Sequence, residues 1–99
     1  MGTLRVDLQG GFDRDAVEVW VDEERCWRRE GVTTKFTLDL AESVPLEIPD
    51  GPADVRIVLP EKAIEQAMEA LVAGDTYVVV RLEDDRLVVE QLAQAPYYL

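Results

Sequence analysis

The chain has 99 residues, enough for one domain of ordinary size (1–99) and too few for a second core. Its 21 acidic and 10 basic residues give a net charge of −11, which repels phosphate backbones and anionic headgroups, so neither nucleic acid nor a membrane surface is an expected partner. The ordinary physical consequence of such acidity is solubility. Hydrophobic residues make up 47% of the chain and recur periodically, which marks a folded protein despite the charge. No basic-then-apolar leader opens the sequence and no apolar run approaches the roughly 18 residues of a membrane span, so neither secretion nor insertion is expected. Cys26 is the only cysteine. It excludes an internal disulfide and points to a reducing, cytoplasmic setting.

Leu4, Val6 and Leu8 alternate with Arg5, Asp7 and Gln9, which predicts a first strand over Thr3 to Gln9 with one wet face. Gly10-Gly11 ends it. The loop Phe12 to Asp15 holds two aspartates but lacks the further oxygen ligands and glycine of a calcium loop, so a solvated turn is expected. Ala16 to Glu30 reads as a hairpin about Glu23-Glu24, through a tight turn or a looser loop from Asp22 to Arg25. It pairs Val21 with Cys26, Trp20 with Trp27, and Glu18 with Arg29. That register puts both tryptophans on the face opposite Val17, Val19, Val21 and Cys26.

Thr34, Phe36, Leu38 and Leu40 alternate with Lys35, Thr37 and Asp39 and predict another strand. Val44 to Pro60 reads as a hairpin about Asp50-Gly51. Ile48 would face Ala53, Leu46 would face Val55 and Val44 would face Ile57, with Pro45, Glu47, Asp54 and Arg56 on the wet side. Pro45 and Pro49 remove backbone donors and place the first arm at a sheet edge. After Pro60, the spacing of Ile64, Ala67, Met68, Leu71 and Val72 predicts an amphipathic helix over 61–73. The competing strand row (Ile64, Gln66, Met68, Ala70, Val72) contains a glutamine. Thr76 to Leu92 predicts a last hairpin about Asp84-Asp85, pairing Glu83 with Arg86, Leu82 with Leu87, Val80 with Val89 and Val78 with Gln91. The tail Ala95 to Leu99 has no period and would lie across a sheet edge or be loose. Val19, Phe36, Leu38, Val55, Ile57 and Val80 are the expected core.

Eight strand-like segments in so short a chain predict an antiparallel β-sandwich, mainly β, with one short helix before the last hairpin. The segments VEVWVD (17–22), TTKFTLDL (33–40) and PDGPADVRIVL (49–59) resemble the prealbumin-like sandwiches, including transthyretin and the carboxypeptidase regulatory-like modules. The resemblance implies a fold rather than an activity. One branch of that family hydrolyses 5-hydroxyisourate with histidines, an arginine and a C-terminal Tyr-Arg-Gly-Ser. The present chain has no histidine and ends Tyr97-Tyr98-Leu99, which removes that branch.

Without histidine, the common nucleophile-imidazole pairs and imidazole metal sites are excluded. Cys26 is placed on the core face and expected to be an inert buried thiol. Asp13/Asp15 and Asp84/Asp85 are neighbours on loops, whereas glycosidase carboxylates must oppose one another across a cleft. No phosphate-binding loop is present, and no catalytic residue, metal site or cofactor is expected. The candidate binding residues are Trp20, Trp27, Arg29 and Glu18, an aromatic pair with a charged rim. They point to a non-catalytic interaction or structural module contacting a protein partner or a second copy, or alternatively to a carbohydrate-binding module that uses the tryptophans.

Overall fold

The protein is described by a computed structural model over residues 2–35 and 37–96. Its strands are β1 (Gly2–Leu8), β2 (Asp15–Val21), β3 (Glu24–Val32), β4 (Glu42–Ile48), β5 (Gly51–Leu59), β6 (Ile64–Val72), β7 (Asp75–Glu83) and β8 (Arg86–Leu92), with a 3₁₀ turn at Pro60–Lys62. They form two four-stranded sheets, ordered β4-β1-β7-β8 and β3-β2-β5-β6. One apolar core lies between them. Leu4, Val6, Leu8, Val19, Val55, Ile57 and Val80 are fully buried in it, which agrees with the period-2 faces read from β1, β2, β5 and β7.

The last hairpin has the register expected from its sequence, from Glu83–Arg86 at the turn through Val78–Gln91. Asp84 and Asp85 both take positive φ, 50° and 60°, a conformation that aspartate tolerates better than most residues. The proline-bearing strand β4 is an edge, also as expected. Among the described residues, no helix is long and apolar enough to cross a membrane.

Four expectations fail, each for a physical reason. Val44 to Pro60 is not a hairpin, because β4 pairs with β1 and β5 pairs with β2 and β6. The turn at Asp50-Gly51 carries the chain from one sheet to the other. Val44 and Ile48 are still buried, as are Ala53, Val55 and Ile57, but the two sets belong to different sheets. A hairpin and a sheet-to-sheet crossover bury the same alternate residues, so periodicity cannot separate them. The corner is fastened by the Asp50 carboxylate, which accepts the Gly74 N–H at 3.2 Å from the β6–β7 connection, another crossing between the two sheets.

Thr34 to Leu40 is not a strand. Lys35 and Leu40 make one isolated bridge around a turn, with Asp39 at φ 51°. Leu38 therefore lies at the surface rather than in the core. Phe36, the other expected core residue there, falls outside the described residues.

Residues 61–73 are not a helix. After the 3₁₀ turn, all nine residues of β6 pair with β5, and the inward row is Ile64, Gln66, Met68, Ala70 and Val72. Helix-forming side chains are overridden here by a long partner strand that supplies a full ladder. Gln66 fits the apolar row because β6 is an edge strand, where its amide turns out and donates to the Ala67 carbonyl at 3.1 Å. The ladder makes a positional prediction. The backbone groups of Leu71 bond a side chain outside the sheet, so odd-numbered positions of β6 point outward and even-numbered ones toward β5. Met68→Pro should then cost at least about 1 kcal/mol more than Ala67→Pro, because only the former removes a ladder donor. Equal midpoints in urea denaturation would contradict this register.

The wet face expected of β1 fails at Asp7, whose side chain is only 1% exposed. The Ser43 hydroxyl donates to Asp7 Oδ1 at 2.6 Å, and Arg5 Nη2 donates to Oδ2 at 3.1 Å. The Arg5 guanidinium lies 5.1 Å from the Tyr77 ring centroid. Cross-strand neighbours thus enclose the carboxylate on the outer side of its own sheet.

Candidate functional site

The β2–β3 ribbon carries the candidate residues, and its register decides which of them meet. Asp22 and Glu23, at φ 49° and 68°, form the turn, one residue earlier than expected. Val21 pairs with Glu24 and Trp20 with Arg25. A bulge at Cys26 then shifts the strand, so Trp27 faces Val19, Arg28 faces Glu18 and Arg29 faces Val17. Without the bulge, Cys26 would point into the core and Trp27 out of it. The shift exchanges them. The larger apolar side chain is half-buried against the core, and the thiol lies at the surface.

Trp20 and Trp27 are therefore on opposite faces of their sheet, and the expected aromatic pair does not form. Trp20 is half-buried on the outer face between Arg25 of β3 and Arg56 of β5. Its indole Nε1 donates to Glu18 Oε1 at 2.9 Å. Glu18 also receives Arg25 Nη1 and Arg28 Nε, each at 3.5 Å, so one largely buried carboxylate organises an indole and two guanidinia. Trp20, Glu23, Asp54 and Arg56 line a cleft of about 190 Å³. That is smaller than the roughly 300–1,000 Å³ of most small-molecule sites.

Arg29 does not pair with Glu18 as expected. It reaches from the β3 edge to β4 of the other sheet, where Nη1 donates to Glu42 Oε2 at 2.8 Å. Its guanidinium lies 5.8 Å from the Trp27 ring centroid. Trp27, Arg29 and Glu42 thus join the two sheets along one margin. The sequence-based pairing missed both Glu42 and the Arg25/Arg28/Arg56 set, because a single bulge changes every pair beyond it.

Cys26 is exposed, contrary to the expected core placement. Desolvation raises its thiol above the ordinary range, and the Glu24 and Asp22 carboxylates add to that, against a backbone hydrogen bond from Val21. A thiol held in the neutral form is a poor nucleophile.

Asp13 and Asp15 do not form a cation loop. Asp15 is buried, accepts the Asp13 N–H at 3.0 Å and holds Lys62 Nζ at 2.9 Å. That hydrogen bond raises the Lys62 pKa, with Asp85 and Asp13 adding smaller contributions. Among the described residues, no group of three or more carboxylate or thiol side chains is placed to hold a metal ion. Comparisons with protein families, with characterised proteins and with solved structures give no match to this chain.

Proposed function

We propose that the chain is a non-catalytic interaction or structural module, built as a prealbumin-like sandwich, with the β2–β3 ribbon as its contact surface. The fold is compatible with the family reading, since two four-stranded sheets, β4-β1-β7-β8 and β3-β2-β5-β6, pack around one core. One observation carries the functional reading. The ribbon from Asp15 to Val32 holds both tryptophans and three of the eight arginines. Tryptophan and arginine are the residues most enriched at binding hot spots, because each combines a large contact area with directional donors. The two indoles give the ribbon two separate anchors, Trp20 on the outer face and Trp27 at the margin. With the rings on opposite faces, a two-ring sugar platform is not available. A reducing cytoplasm suits the exposed single thiol.

Immobilised chain exposed to an extract of its source should retain a protein that Trp20→Ala bait releases. The expected weakening is about 2 kcal/mol or more. Thermal melts of the variant should show it still folded, since the indole is only half-buried. Equal retention by both baits would sink this reading, and a sugar-dependent change in tryptophan fluorescence would favour the carbohydrate alternative.

A further inference from the structure

Two glutamines interrupt otherwise apolar inward rows, Gln66 in β6 and Gln91 in β8, and both serve the outer edge of β6. Gln91 Nε2 donates to the Leu71 carbonyl at 3.0 Å, and Gln91 Oε1 accepts the Leu71 N–H at 3.1 Å. One side-chain amide thus makes both hydrogen bonds that a neighbouring strand would make at that residue. Leu71 faces Pro52, which has no N–H to offer the Leu71 carbonyl. Two and four residues earlier, Glu69 and Ala67 present their backbone groups on the same outward side. Gln66 Nε2 occupies the Ala67 carbonyl.

A long, regular edge strand is a template for adding a strand from another chain. β6 has nine residues in unbroken register, and Leu71 on it is 62% exposed. Two of the other edges are interrupted, β4 by Pro45 and β3 by the bulge at Cys26, while β8 is regular but two residues shorter than β6. β6 has neither a proline nor a bulge. Its defences are the carboxylates of Glu65 and Glu69 and the two amides.

We propose that Gln91 and Gln66 are edge guards, side-chain amides that fill the hydrogen-bonding positions of β6 and keep it from accepting another strand. Gln91 is the principal guard because it satisfies a donor and an acceptor at once and comes from the opposite sheet. An isosteric hydrocarbon retains its bulk and loses only the amide. This role is independent of the β2–β3 contact surface, which lies at the other margin of the sandwich.

The test is Gln91→Leu in the full chain, with hydrogen exchange at the Leu71 amide and sedimentation velocity over a range of concentrations. Leu71 exchange should accelerate on the order of tenfold or more, while the amides of Val55 and Ile57 in the core stay protected. The variant should also associate at concentrations where the wild type sediments as a single smaller species. Gln91→Glu separates the two bonds. It still accepts the Leu71 N–H, so that amide should stay protected, but it cannot donate to the carbonyl and should show intermediate association. If Gln91→Leu loses its cooperative melt, Gln66→Ala combined with Gln91→Glu replaces it with the same expected association. Unchanged exchange at Leu71, or faster exchange with unchanged sedimentation, would overturn the proposal.

Discussion

Gly11→Ala should lower stability by roughly 3 kcal/mol or more, one of the two largest single-site effects expected in this chain. Gly11 has φ +94°, which an L residue rarely adopts. A Cβ at that position would lie 1.8 Å from the Leu82 carbonyl oxygen and 2.8 Å from its carbon. The obstacle is backbone, so no rotamer change relieves it. The two segments are also hydrogen-bonded together, Leu82 N–H to the Gly10 carbonyl at 2.9 Å and Gln9 N–H to the Val80 carbonyl at 2.7 Å. Separating them would therefore break bonds that hold the end of β1 to β7. Gly31→Ala is the control: its φ is +71° and a Cβ there meets nothing within 4 Å. It should cost about 1 kcal/mol, the strain of the left-handed conformation alone. Thermal or urea denaturation of the two variants would compare them directly. If Gly11→Ala is no worse than Gly31→Ala, the close approach is not a constraint.

Ile57→Ala should cost roughly 2–5 kcal/mol, a large fraction of the total stability of a domain this size. Ile57 is fully buried in β5, between Val19 of β2 and Gln66 of β6, and its side chain points at the opposite sheet. The loss combines the transfer free energy of the removed methyl groups with the cavity they leave, which the strands on either side hold open. The urea midpoint should fall while the slope stays constant, since the surface exposed on unfolding barely changes. Val88→Ala on the exposed side of β8 should change stability by no more than about 0.5 kcal/mol. An unmoved midpoint for Ile57→Ala would mean that β5 presents its other face to the core.

These two positions mark what the sequence made legible. The face of Ile57 follows from alternation alone, and the same rule assigned Leu4, Val6, Leu8, Val19, Val55 and Val80 correctly. The close approach at Gly11 depends on which strand lies beside β1, and no local pattern states that. β1 lies between β4 and β7, partners distant in sequence, so a reading by neighbouring segments paired β4 with β5 instead. Locally closed units fared better: the β7–β8 hairpin has charge and apolar pairs that agree only in its true register. The β2–β3 hairpin offered equally plausible pairs in a false register, and the bulge at Cys26 has no sequence signature of its own. The candidate site was therefore legible as a set of residues on one ribbon, but not as a geometry. For β6, the strand row was visible beside the helical stripe, and Gln66 argued against it. That glutamine is an edge group, and an isolated segment does not show where the edges of a sheet will be.

The parallel pairing of β1 with β7 joins Leu4 to Thr76, residues far apart in the chain. The cost in chain entropy falls on whichever contacts close that loop, and it is incurred before the buried area between the sheets repays it. The sheet β3-β2-β5-β6 contains two hairpins that can zip locally, whereas β1, an inner strand of the other sheet, precedes both its partners and remains half-partnered until β7 exists. Until then, one hydrogen-bonding side of β1 is open and free to pair with a wrong strand. Dense local charge and Pro45 of β4 shorten the list of wrong strands available within the chain. A fold wired in this way sets its speed of formation by the meeting of β1 with β7 rather than by any of its turns.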